Sequence, residues 1–287
     1  MHQKQFLKYD EALWQESPVI EENTLQLFIT NKCNLRCKGC FYAHNLGKDE
    51  MSFEVYKSHI LKHKDAVKKV TLLGGEPTLH SQLPQMIAFN QSLNLKTTVY
   101  TNGFHLENLG GISLAGVKIR IGVHGTYSSE KPLANVHKTS LPVTIVYMLC
   151  RDNISELNSA VKIAEQDFNC NDFFISSIRD IASTGNYWLD NTDTIPMNEY
   201  FDIVQNFVQE YGGRLNIHVS KRGVIKSKFD NAVDKCRFGN IFPNGTKIRC
   251  PLDISLNKQC LELEFNKIKC NKDSCCILRK VVLKRIN

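Results

Sequence analysis

No run of about eighteen consecutive apolar residues, the length a membrane helix requires, occurs anywhere in the 287 residues. The opening stretch, MHQKQFLKYDEALWQESPVIEEN, is polar and carries acids early, unlike a secretory signal. A cytoplasmic location is the resulting expectation. No long basic run accompanies the formal charge of +7, so the excess reads first as a lysine-rich solvated face. Neither a membrane nor a nucleic acid is the expected partner. Internal repeats and low-complexity tracts are missing as well. Hydrophobic content of 42% and charged content of 23% suit a soluble chain long enough to bury its own core.

Cysteine is scarce through the middle of the chain, where only Cys150 and Cys170 occur, yet the total is 11. In a reducing compartment such thiols point to metal binding or redox chemistry rather than disulfides. Cys33, Cys37 and Cys40 lie together near the start, and Cys236, Cys250, Cys260, Cys270, Cys275 and Cys276 crowd the end. That layout fits two separate metal sites.

Short β-type runs alternate with helical spacing along the first three quarters. Strands are expected at Leu25–Thr30, Val70–Leu73, Thr97–Tyr100, Val117–Val123, Val143–Leu149 and Phe173–Ser177. Helices are expected at Met51–His63 with Ser52 as N-cap, Leu83–Leu93, Ile154–Phe168 begun by Asp152 or Asn153, and Met197–Tyr211. Six βα units with apolar strands predict an α/β fold built on a parallel sheet. Eight units would close a barrel, so six predict an open, partial (β/α)6 TIM-like barrel. The pattern ends near Gly223. The expected organisation is an N-terminal extension over 1–23, a core over 24–223, and a small cysteine-rich domain over 224–287.

Cys33-Asn34-Leu35-Arg36-Cys37-Lys38-Gly39-Cys40 sets three thiols on a loop directly after the first strand. Three ligands are one short of a closed tetrahedral zinc site, and His44 would be an oddly spaced fourth. Three thiolates can instead hold a four-iron cube with one iron left open. Strand C-termini form the active-site face of a parallel βα barrel, and this loop lies there.

CNLRCKGC resembles the CxxxCxxC signature of the radical S-adenosylmethionine superfamily. Gly74-Gly75-Glu76-Pro77, after the second strand, is similar to that family's GGEP motif, and Thr101-Asn102-Gly103, after the third, to its TNG element. The resemblance covers about residues 24–220. It implies a [4Fe-4S] cluster on Cys33, Cys37 and Cys40 whose open iron chelates S-adenosylmethionine through its amino and carboxylate groups. It further implies that the GGEP backbone, with Glu76 nearby, contacts the cofactor's amino group, and that Thr101 and Asn102 lie near its ribose or sulfonium. Many members carry an aromatic residue before the third cysteine, where this chain has Gly39; Phe41 and Tyr42 are then the candidates for the adenine contact. Reductive cleavage to methionine and a 5′-deoxyadenosyl radical is the implied chemistry, fed by a flavodoxin- or ferredoxin-type electron donor.

In the last segment, Pro243-Asn244-Gly245 predicts a hairpin that brings Cys236 and Cys250 together. This element resembles the opening of the SPASM or twitch auxiliary-cluster domains. The resemblance implies one auxiliary [4Fe-4S] cluster, with Cys236, Cys250, Cys270 and Cys276 as ligands, Cys275 as the alternative to Cys276, and Cys260 as a spare. A structural Zn(Cys)4 site and plain buried thiols are the competing readings.

Cys150, at the end of the fifth strand, is a candidate for returning a hydrogen atom to a substrate radical, against a core thiol. His124 and Tyr127 follow the fourth strand and could face cofactor or substrate. Arg179, past the sixth strand, could hold the cofactor carboxylate or an acidic group. The expected function is hydrogen abstraction from a peptide or amino-acid-derived substrate, by epimerisation, crosslinking or thioether formation. The alternative is a dehydrogenase or epimerase of a sugar-like small molecule. A glycyl-radical activating enzyme and a non-catalytic zinc or nucleic-acid module are minor alternatives.

Overall fold

The computed structural model describes residues 24–37, 40, 42, 45–123, 139–177, 195, 197–219, 239–241, 243 and 247–248. In chain order these form β1 (Thr24–Thr30), α1 (Phe53–His63), β2 (Lys69–Gly74), α2 (Leu83–Ser92), β3 (Lys96–Thr101), β4 (Val117–Val123), β5 (Thr139–Leu149), α3 (Leu157–Asp167), β6 (Phe168–Ser177), α4 (Met197–Glu210), β7 (Asn216–Val219), β8 (Gly239–Ile241) and β9 (Lys247–Ile248). The strands make one open sheet in the order β7-β6-β5-β4-β3-β2-β1-β8-β9. From β7 to β8 every neighbouring pair is parallel, and only β9 runs antiparallel.

Consecutive parallel strands that always step the same way, joined by right-handed crossovers, send their helices to one face. The packing agrees. Tyr56 and Ile60 of α1, Met86 and Ile87 of α2, Ala160 and Val161 of α3, and Tyr200 and Val204 of α4 share one buried cluster with Leu27, Leu72, Val99, Ile121, Ile145 and Phe173 of the sheet. The opposite face is therefore the concave one, as in the partial barrels of this architecture. Strand alternation sends every second side chain there.

Local signals explain the elements. The Ser52 hydroxyl accepts the Val55 N–H at 3.3 Å and caps α1, which ends on Lys62 and His63. Pro84 occupies the first turn of α2, where its missing N–H costs nothing. The third helix departs from expectation. Residues Arg151–Glu156 form a 3-10 turn and the α-helix starts only at Leu157. Asn153 is the cause: its Oδ1 accepts the Cys150 N–H at 2.8 Å, its Nδ2 donates to the Met148 carbonyl at 2.9 Å, and its own carbonyl accepts the Tyr147 hydroxyl at 2.9 Å. These bonds tie the turn back to the strand end. At its other end the helix stops at Asp167, because Phe168 already begins β6, which is five residues longer at its start than expected.

β7 was not expected from the sequence; four residues, Asn-Ile-His-Val, carry too little periodicity to stand out. β8 and β9 pair antiparallel about Pro243, matching the expected hairpin, and β8 adds itself parallel to the free side of β1. Residues 1–23, Cys236, Cys250 and everything after 248 lie outside the described residues. Among the described residues no helix is long and apolar enough to cross a membrane.

Candidate active site

The cysteine loop leaves β1 at Thr30 and is clamped from both sides. On one side the chain returns antiparallel: the Asn31 N–H donates to the Asp49 carbonyl at 2.8 Å, Gly47 N–H to Asn31 at 2.9 Å, and Met51 N–H to Ile29 at 2.8 Å. Lys32 Nζ meets Glu50 Oε2 at 2.5 Å beside this ladder. On the other side the Gly75 N–H donates to the Thr30 carbonyl at 2.8 Å, and the Glu76 N–H to Lys32 at 2.7 Å. Here the glycines are required sterically. Gly74 sits at φ +144, and a Cβ there would lie 2.3 Å from the Thr30 oxygen; at Gly75 it would lie 2.2 Å from the Lys32 oxygen. The GG pair thus fixes the strand exit that carries Cys33.

Cys33, Cys37 and Cys40 are half-buried and belong to no disulfide. The Cys40 N–H closes a turn onto the Cys37 carbonyl at 3.2 Å. Arg36 Nη1 donates to the carbonyls of Cys33 at 3.0 Å and Leu35 at 2.8 Å, and the Leu35 N–H reaches Cys33 Sγ at 3.4 Å. Burial raises all three thiols above their ordinary range, and Cys37 is pushed up to about 12 because Cys40 and Cys33 add repulsion to its desolvation. Thiols that repel one another as anions are what a cationic cluster reverses, since a bound metal deprotonates its thiol ligands. Among the described residues, no three His, Cys, Asp or Glu side chains converge as a single ion would need. A cube of four irons separates its thiolate ligands more widely, and cysteine thiols are the donor type it takes.

Glu76 joins the motifs. Its side chain is 1% exposed. Oε1 accepts the Thr78 N–H at 3.0 Å, the Thr78 hydroxyl at 2.6 Å and the Thr101 hydroxyl at 2.7 Å, and Oε2 accepts the Asn102 N–H at 2.6 Å. Burial pushes its carboxyl upward, opposed by these four donors. Asn102 continues the chain of contacts: its Nδ2 donates to Asn34 Oδ1 at 2.8 Å, inside the cysteine loop, and its Oδ1 accepts the Phe104 N–H at 3.1 Å. Gly103, at φ +83, allows the turn that aims these groups. The sequence-expected Cys33–Cys40 loop, Gly74–Pro77 and Thr101–Asn102 are thereby brought together at the C-terminal ends of β1, β2 and β3.

Other candidates fall elsewhere. Tyr42 is 1% exposed; its ring stacks on Phe28 with centroids 5.0 Å apart, and its hydroxyl donates to Asn31 Oδ1 at 2.6 Å. It packs beneath the cysteine loop with Leu46 and Leu73. Cys150 is 0% exposed, and its backbone N–H and carbonyl both engage Asn153. Phe41, His44, His124, Tyr127, Arg179, Cys260, Cys270, Cys275 and Cys276 lie outside the described residues. Sequence reasoning missed Asn34, which touches Asn102, and the concave-face pair Tyr100 and Arg120. The signal for the latter was the alternation of cations with aliphatics in Val117–Val123, VKIRIGV.

A parallel α/β partial barrel with a three-cysteine loop at the exit of its first strand defines a class of iron–sulfur enzymes. Residues 27–152 match the model of the Radical SAM superfamily, so this part of the chain is a radical SAM domain. The superfamily implies a [4Fe-4S] cluster and S-adenosylmethionine. Among curated relatives, a probable GTP 3',8-cyclase of Metallosphaera sedula is 26% identical over 166 residues, 50% of this chain and 51% of that protein. The chain thus spans about half the length of that relative. A probable GTP 3',8-cyclase of Saccharolobus solfataricus is 24% identical over 270 residues, covering 85% of this chain and 84% of that protein. Among solved structures, Streptococcus suis SuiB bound to precursor peptide SuiA superposes with a TM-score of 0.62 at 16% identity, over 96% of this chain and 68% of that one. That likeness is one of fold.

Proposed function

We propose that this enzyme abstracts hydrogen from a peptide or amino-acid-derived substrate lodged against the concave face of the sheet. The carrying observation is that this face presents both signs of charge in one row, Arg120 on β4 and Asp172 on β6. Amino-acid substrates carry both signs, and such a row offers each a partner. The fold shared with a peptide-bound structure supports the same reading.

Cys33, Cys37 and Cys40 would hold the cluster. When bound, it supplies the electron that splits S-adenosylmethionine into methionine and a hydrogen-abstracting 5′-deoxyadenosyl radical. The protein's own part is placement. Gly74–Pro77 offer backbone to the cofactor's amino group, Glu76 locks Thr101 and Asn102 in register beside the cysteine loop, and the helix-covered sheet shields the reacting centre from water. Residues 224–287 would form a twitch-like domain in which Cys236, Cys250, Cys270 and one of Cys275 and Cys276 bind an auxiliary cluster.

A second reading, a nucleotide-cyclising enzyme, is favoured by the Saccharolobus relative, which aligns over most of both chains. One experiment separates the two. The anaerobically reconstituted enzyme is supplied with reductant, S-adenosylmethionine and either GTP or a panel of deuterated short peptides. Deuterium in 5′-deoxyadenosine with a mass change in the peptide is the expected result. A cyclised nucleotide with no peptide reaction would overturn the peptide reading.

A further inference from the structure

Strand register sets five side chains at one height across the concave face: Tyr100 beside Arg120, Arg120 beside Thr144, Thr144 beside Asp172, and Asp172 beside Asn216. Ile119 and Ile121, which flank Arg120 along β4, are buried under the helices, so alternation turns Arg120 to the concave side. Its Nη1 donates to the Tyr100 hydroxyl at 2.6 Å, and its guanidinium carbon lies 5.5 Å from the centre of the Tyr100 ring. Its Nε is fully buried and has no hydrogen-bond partner among the described residues. Among the described residues the ion pairs involve other cations, and none reaches Arg120. The one acid in the row, Asp172, is two strands away and is engaged by His218 Nε2 at 2.8 Å and Asn216 Nδ2 at 3.2 Å.

A buried donor without a partner is rare and costly, and it calls for an acceptor that the described residues do not supply. Nη1 is committed to Tyr100, which leaves the edge formed by Nε and Nη2. That edge matches two oxygens of one carboxylate or phosphate. The tyrosine ring and hydroxyl hold the plane fixed, so little rotamer freedom remains to be lost on binding.

We propose that Arg120, positioned by Tyr100, forms an oxyanion-binding subsite on the concave face and anchors a carboxylate of the substrate. The inference rests on the reading that substrate occupies this face. A phosphate offers the same chemistry, and the test distinguishes the two sources.

The holoenzyme, reconstituted anaerobically and saturated with S-adenosylmethionine, is titrated calorimetrically with N-acetyl-glutamyl amide, its glutaminyl counterpart and inorganic tripolyphosphate. The glutamyl probe is expected to bind and the glutaminyl probe to bind at least about tenfold more weakly. Arg120→Met should weaken the glutamyl probe by about tenfold to a hundredfold, and Arg120→Lys, which keeps the charge but loses the fork, by less. Tripolyphosphate binding in place of the glutamyl probe would overturn the carboxylate assignment. Unchanged probe binding in Arg120→Met, or no oxyanion binding by the parent enzyme, would overturn the subsite. Affinity for S-adenosylmethionine is the second readout. A loss of that affinity in Arg120→Met, with a smaller one in Arg120→Lys, would assign Arg120 to the cofactor and overturn the proposal. Failure of the peptide reading would show separately, as GTP cyclisation by the parent enzyme, and leaves the probe titrations to decide the subsite.

Discussion

Glu76 Oε2 accepts the backbone N–H of Asn102 at 2.6 Å, so the loop after the second strand holds the loop after the third by a buried charge-assisted hydrogen bond. Three further donors from Thr78 and Thr101 complete the carboxylate's shell. Glu76→Ala would leave these donors buried and unpaired, at roughly 1–3 kcal/mol for the first and less for each that relaxes. A loss of about 3 kcal/mol in unfolding free energy is expected, with weakened cofactor binding, measured by denaturant titration and calorimetry. Unaltered stability would show that the two loops are held in register by something else.

Gly75→Ala is expected to damage the cluster site from a distance. Its Cβ would lie 2.2 Å from the Lys32 carbonyl oxygen, and Lys32 adjoins Cys33. Backbone must move to relieve that contact. Iron content after anaerobic reconstitution should fall well below that of the parent, with visible absorbance following it. Full iron loading in the variant would refute the steric account.

Replacing Cys33, Cys37 or Cys40 with alanine should reduce 5′-deoxyadenosine formation to background. Cys236→Ala or Cys250→Ala should lower total iron and still leave cleavage of S-adenosylmethionine in the absence of substrate. Parent protein should carry about eight irons if both sites hold four-iron cubes. About four irons with one zinc would remove the auxiliary cluster from the proposal.

His80 gives the protein an acid-side sensitivity. Its Nδ1 accepts the Gln82 N–H at 3.0 Å and its Nε2–H donates to the Met51 carbonyl at 2.9 Å, an arrangement only the neutral ring can make. Burial lowers its pKa below the ordinary 6.5. The unfolded chain therefore takes up a proton first as pH falls, and this group's effect is to lower stability below about pH 6.5, with none above. Unfolding midpoints measured between about pH 8 and pH 5 should drop toward the acid end, and His80→Gln should flatten part of that slope. A variant with the parent's slope would assign the dependence to other groups.

Much of the scaffold was legible locally. Val117–Val123 matched its expected limits, and β1, β2 and β3 extend theirs by one residue at one or both ends, because each is a short apolar run closed by a glycine, asparagine or cysteine turn. Ser52 capped its helix for the same local reason. Long-range bonds were not legible. Asn153 diverts the start of α3 through contacts to Tyr147, Met148 and Cys150 that no helical periodicity reveals. Tyr42, a candidate for the adenine contact by position, turned inward because Phe28 on β1 offers it a stacking partner.

By itself the sequence determined the order of the motifs and which donor atoms the three-cysteine loop offers, since residue type and spacing are local properties. Only tertiary structure decided that the Glu76 carboxylate is occupied by Thr78, Thr101 and Asn102, and that Arg120 stands beside Tyr100 with a nitrogen unpaired among the described residues. Both depend on which residues of different strands sit at the same height. Register is a property of the assembled sheet and is written in no single segment.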